Sequence, residues 1–150
     1  MPPQVFVGDI NDAKVLEKTG CYLIVDCTTW DDIPALTGTP RYNNAHKKLL
    51  EKAHEVHTKI KQAEKENKKV LIHCMAGVNR SCATAITYKM LYDGMNLSSA
   101  CGHWKRKRPQ GNCGPENSFW NFLVWLAKAK GKPYNMGRFN EKKWFARFAS

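Results

Sequence analysis

The sequence predicts an α/β fold: a single domain with a small, twisted, mostly parallel sheet flanked by helices, and an anion-binding loop between the central strand and the next helix. Three observations carry that prediction. The apolar run Val70-Leu71-Ile72 reads as a buried strand. It feeds a short loop containing Gly77 and then an apolar-periodic helix over residues 80–93, with Gly94 beyond it as a stop. Around this unit, strand-like segments are few and helix-like segments many.

The remaining elements follow in chain order. Residues 4–7 read as a short strand, with Gly8-Asp9 as its turn, and residues 11–18 as a short helix with Asn11 as its N-cap and Gly20 as its stop. Residues 21–26 form the next buried strand. Residues 28–44 hold Pro34, Gly38 and Pro40 and read as loop. A long helix spans 46–66, where Leu49, Leu50, Ala53, Val56, Ile60 and Ala63 keep helical spacing opposite a Lys- and Glu-rich face. Its histidines, His46, His54 and His57, read as solvated, since no Asp or Cys pattern accompanies them. Another helix covers 96–108 and ends clearly at Pro109. A last core helix runs over 116–130, with Phe119, Phe122, Leu123 and Leu126 on one face.

Composition narrows the class. One domain of 150 residues at 43% hydrophobic content is long enough to bury a core. No apolar run is long enough to span a membrane, and the start lacks the regions of a signal peptide, so a cytoplasmic location is expected (host cytoplasm or virion for a viral protein). The six cysteines, Cys21, Cys27, Cys74, Cys82, Cys101 and Cys113, show no Cys-x-x-Cys spacing. They are expected to be thiols, with neither a metal site nor a cofactor. The formal net charge is +11, and residues 101–150 carry eleven Lys and Arg against two Glu, or +9 in one third of the chain. Such a balance favours polyanionic partners.

The chemistry concentrates at His73-Cys74-Met75-Ala76-Gly77-Val78-Asn79-Arg80-Ser81. A loop running into a helix N-terminus converges backbone N–H groups where the helix dipole is positive. A cysteine at its mouth is favoured as thiolate. Arg80 follows Cys74 after five residues, and its planar fork can hold two phosphate oxygens over the sulfur. A buried structural cysteine in a strand-to-helix turn is the plain alternative. Against it, strand, glycine, arginine and helix all stand where the chemistry needs them, and no other cysteine has an arginine at that offset.

This stretch resembles the Cys-x5-Arg phosphate loop of the protein tyrosine phosphatase superfamily, most closely its dual-specificity branch and, within that, the small poxvirus-type enzymes. The resemblance implies a phosphocysteine intermediate on Cys74. Arg80 and the backbone N–H groups of Met75, Ala76, Gly77, Val78, Asn79 and Arg80 would bind the phosphate, and the Ser81 hydroxyl would assist breakdown of the intermediate. His73 would support the loop. Arg108-Pro109 followed by Asn117-Ser118-Phe119 resembles the penultimate loop and last helix of that branch, which would give Asn117 a bracing role. The loop near the N-terminus in low-molecular-weight phosphatases does not match a mid-chain position, and Gly77 with Arg80-Ser81 suits phosphate better than the sulfur of a rhodanese.

The resemblance covers about residues 4–130; residues 131–150 form a basic, aromatic tail beyond the catalytic domain. Within it, residues 140–148 read as a helix with Trp144, Phe145 and Phe148 among Lys142, Lys143 and Arg147. Such a helix suits RNA, an anionic membrane or a homodimer contact, or else docks its aromatics on its own domain. The family's proton-donating aspartate lies just ahead of the long helix, where this chain has Tyr42-Asn43-Asn44. An amide supplies no proton. Asp31 and Asp32 are the nearest upstream carboxylates, separated from that place by Pro34, Gly38 and Pro40. The expected activity is therefore hydrolysis of phosphorylated proteins with a weak, displaced or missing general acid. An RNA 5′-triphosphatase and a catalytically weak phospho-binding module are the alternatives. Val25-Asp26-Cys27-Thr28 and Gly77-Val78-Asn79-Arg80 faintly resemble the first of these branches and the charge suits it, but Met75-Ala76 and Asn117-Ser118-Phe119 depart from it, which ranks it below.

Overall fold

The computed structural model describes residues 3–28, 44–75, 80–107, 119, 122–124 and 126–127. Three parallel strands, β1 (Val5–Gly8), β2 (Tyr22–Asp26) and β3 (Lys69–His73), form one sheet in the order β1-β3-β2. The last paired residues are Gly8 with His73 and Asp26 with His73, so all three strands end at one level. The central strand is the most apolar, with Val70, Leu71 and Ile72 buried. Each of those side chains contributes about 1.5–3 kcal/mol of hydrophobic stabilisation.

Helix α1 (Ile10–Glu17) crosses from β1 to β2, and α2 (Asn44–Glu66) lies between β2 and β3. Parallel crossovers are right-handed in nearly all proteins, and these two run in opposite directions, which places α1 and α2 on opposite faces of the sheet. Helix α3 (Arg80–Tyr92) follows β3 and packs against α2, the sheet and α4 (Leu97–Lys107). Residues 119, 122–124, 126 and 127 are helical, and Phe119, Phe122, Leu123 and Leu126 are buried.

Two expectations need correction. The cap of α1 is Asp9, not Asn11, which lies within the helix. The Asp9 side chain accepts the Asp12 N–H at 2.8 Å and the Asp12 side chain accepts the Asp9 N–H at 2.9 Å. This reciprocal pair satisfies two otherwise unpaired donors, and losing such a cap costs about 1 kcal/mol. Cys82 is disulfide-bonded, whereas Cys21, Cys27, Cys74 and Cys101 are thiols. Pairing depends on how closely two Cα atoms approach in space, which spacing along the chain does not reveal. Gly20 and Gly94, expected to stop helices, both have positive φ, at 70° and 67°.

Candidate active site

Everything at the site follows from the common end of the three strands. Cys74 is the residue after β3, and its backbone N–H donates to the Gly8 carbonyl at 3.4 Å. The Ile10 N–H, in the first turn of α1, donates to the Met75 carbonyl at 3.2 Å. On the other side the Cys27 N–H donates to the His73 carbonyl at 2.8 Å. The cysteine is thus held from both flanking strands, at the carboxyl edge where ligands bind in such sheets. Gly8 leaves room for the side chains of the α1 cap and of β3: a Cβ there would stand 2.8 Å from Asp12 Oδ2 and 3.2 Å from Leu71 Cδ1.

Cys74 is 4% exposed, and its Sγ lies 3.2 Å from the hydroxyl of fully buried Ser81. Arg80 is the first residue of α3, so a positive side chain and a positive dipole end occupy the same turn. Its carbonyl accepts the Thr84 hydroxyl at 2.8 Å, and the Thr84 oxygen lies 3.5 Å from Cys27 Sγ. Burial pushes the Cys27 thiol up to about 12, outweighing the hydrogen bond from Thr84 and the charge of Lys52, so Cys27 stays protonated. Met75, at the lip, is 59% exposed.

His73 is buried beneath the cysteine. Its Nε2 lies 3.7 Å from Asp26 Oδ1, while its Nδ1 has no hydrogen-bond partner among the described residues. Burial raises Asp26, but hydrogen bonds from the Thr28 hydroxyl and N–H, at 2.6 and 2.8 Å, outweigh it together with His73 and Lys52. The carboxyl is held below its ordinary value. The Asp26-His73 pair went unnoticed in the sequence because the partners are 47 positions apart and meet only through the β2–β3 register. The clamp from Gly8 and Ile10 was equally hidden, since a backbone contact has no residue signature.

The structure brings together Cys74, Met75, Arg80, Ser81 and His73. Ala76, Gly77, Val78, Asn79 and Asn117 lie outside the described residues, as do Asp31, Asp32, Asn43 and the tail 131–150. Among the described residues no three of His, Cys, Asp and Glu gather to hold a metal ion, and no helix is long and apolar enough to cross a membrane.

Comparison with known proteins places this geometry. The family model for the dual specificity phosphatase catalytic domain matches residues 6–128. The human dual specificity protein phosphatase 16 is 28% identical over 71% of this chain, which covers 17% of that protein. The human dual specificity protein phosphatase 21 is 41% identical over 37% of this chain, covering 28% of the relative. This chain spans about a third or less of the length of such curated relatives. Among solved structures, human DUSP28 superposes with a TM-score of 0.60 at 21% identity, covering 85% of this chain and 93% of that one. The Cydia pomonella PTP-2 phosphatase gives 0.55 at 24% identity, covering 88% and 89%. At these identities the structural likeness shows the fold.

Proposed function

Since the chain belongs to the dual specificity phosphatase family, we propose that it hydrolyses phosphomonoesters on proteins through a phosphocysteine intermediate on Cys74. The Cys74 thiolate attacks phosphorus as the ester oxygen leaves. Arg80 and the backbone N–H groups of residues 75–80 hold the equatorial oxygens through charge-assisted hydrogen bonds. Water then attacks the thiophosphate, and the Ser81 hydroxyl donates to the departing sulfur, releasing phosphate and restoring the thiolate. One observation carries this reading: Cys74 Sγ and Ser81 Oγ lie 3.2 Å apart where β3 ends and α3 begins with Arg80. In that place the hydroxyl stabilises the sulfur both as thiolate and as leaving group. His73 and Asn117 support the loop in this reading.

The segment ahead of α2 offers Asn43 where the leaving oxygen needs an acid. We therefore propose an enzyme with weak proton donation, efficient on substrates whose leaving groups depart unprotonated. A phosphoanhydride is such a substrate, and with the net charge of +11 this favours RNA 5′-triphosphatase activity as the second reading. Capture of phosphorylated partners without turnover is the third.

The test is purified protein, parent and Cys74→Ser, assayed on phosphotyrosine peptide, phosphothreonine peptide and 5′-triphosphate RNA. Turnover by the parent on a peptide, lost in Cys74→Ser while phosphate binding persists, is the expected result. Arg80→Lys is expected to be severe too, because a point charge does not replace a bidentate fork. Activity in Cys74→Ser within a few-fold of the parent sinks the mechanism. Turnover confined to RNA moves the assignment to the second reading, and phosphate binding without turnover to the third.

A further inference from the structure

A cavity of about 340 Å³ lies at the opposite end of the sheet from Cys74, between the start of β1, the middle of α2, the last turns of α3 and the end of α4. Its size suits a small molecule. Val5 and Ile60 supply apolar wall, and Gln4, Tyr88, Lys89, Asp93, His103, Trp104 and Lys107 supply the polar groups.

The charges in that wall are unequal. The Lys89 ammonium is taken by the Asp93 carboxylate at 2.7 Å, with its Nζ 6.0 Å from the centre of the Trp104 ring. Lys107 makes no ion pair among the described residues and is exposed, so the cavity carries one uncompensated positive charge. Burial lowers the His103 pKa, and Lys89, Lys107 and Arg106 lower it further against the opposing charge of Asp93, which favours the neutral ring with its single N–H donor. Trp104 is 1% exposed, and its indole N–H has no hydrogen-bond partner among the described residues, an unmade bond that burial makes costly. The donors on Lys107 and His103, one spare positive charge and an apolar wall match a singly charged acceptor on an apolar body. A phosphate dianion would need a second free cation.

We infer that this cavity is a second binding site, taking a small apolar carboxylate whose head is held by Lys107 and His103 and whose body lies against Ile60, Val5 and Trp104. It is separate from the phosphate loop by the full length of the strands.

The probe is phenylacetate, titrated into the full chain while the indole N–H signals are followed by heteronuclear NMR, with Trp104→Phe identifying the Trp104 signal. The expected result is a saturable shift of that signal at millimolar probe, absent with uncharged phenylacetamide. Lys107→Gln is expected to weaken binding about tenfold, the scale of one charge-assisted hydrogen bond. Lys107 is exposed in the last turn of α4, so this variant keeps the fold. No shift, an equal shift with the amide, equal affinity in Lys107→Gln, or a larger response to inorganic phosphate would each overturn the inference. None of these outcomes depends on turnover at Cys74.

Discussion

Cys27 and Cys74 stand one step beyond the last paired residues of β2 and β3, Asp26 and His73. Neighbouring strands are about 4.8 Å apart, inside the span of about 4.4–6.8 Å between Cα atoms that a disulfide bridges. Hydrogen peroxide converts a Cys74 thiolate to a sulfenic acid; attack by the Cys27 sulfur then forms the S–S bond and releases water. Because burial holds Cys27 protonated, that attack is slow and competes with further oxidation. With stoichiometric peroxide, peptide mass mapping is expected to show a Cys27–Cys74 crosslink, giving way to sulfinic Cys74 at large excess. Sulfinic acid with no crosslink at either dose removes the idea. Cys82 is not available for this trap, being already in a disulfide. The same thiol makes a second prediction. Folding raises Cys27 from an ordinary value near 9 to about 12, so the unfolded chain releases this proton first as pH rises. Stability is then lost between those two values, and the free energy of unfolding should fall less steeply over that interval in Cys27→Ala than in the parent. Equal slopes in denaturant titrations across that range would contradict the assignment.

At the scale of elements, the cap of α1 and the cysteine loop share a boundary. Asp9 and Asp12 fix the start of α1, and the next N–H, from Ile10, reaches the Met75 carbonyl. The first helix therefore positions the mouth of the site as well as covering the sheet. In the proposed reaction, the residues between β2 and α2 are the ones expected to supply the leaving group's proton. A phenol leaves with a pKa of about 10 and depends strongly on a proton donor. The rate across a series of aryl phosphates is expected to fall steeply as leaving-group pKa rises, with weak activity on phosphotyrosine. Asp31→Asn and Asp32→Asn should each change little. A loss on the order of a hundredfold in either, the scale of general-acid catalysis, would identify that aspartate as a displaced acid.

Over the whole molecule the charge is lopsided, with +9 of the +11 after residue 100. Part of it is visible on α4, where Lys105, Arg106 and Lys107 are exposed around a buried Trp104. Cations in the last turn of a helix are favourable for the helix itself, but a field of this size also attracts polyanions. RNA binding is expected to weaken steeply with added salt and to drop when residues 132–150 are deleted. Filter binding over a range of salt checks this; no binding at low salt would leave the charge as a solvated surface.

The residues by themselves determined the α/β class, the central strand 70–73 and the candidate nucleophile with its arginine. Each is encoded locally, in an apolar run, a glycine and a spacing of five. They also determined the buried face Phe119, Phe122, Leu123 and Leu126, because helical periodicity is a local pattern. The cap of α1 is not encoded so plainly: Gly8-Asp9 has the composition of a turn, and only the reciprocal bonds between Asp9 and Asp12 reveal the capping box. The tertiary structure alone decided the rest. Strand register placed Cys27 beside Cys74 and Asp26 beside His73, and the packing of α3 buried Ser81 against the sulfur. The start of β1 met α2, α3 and α4 to enclose a second cavity. Contacts between distant segments depend on how strands order and helices cross, and no stretch of sequence carries that information alone.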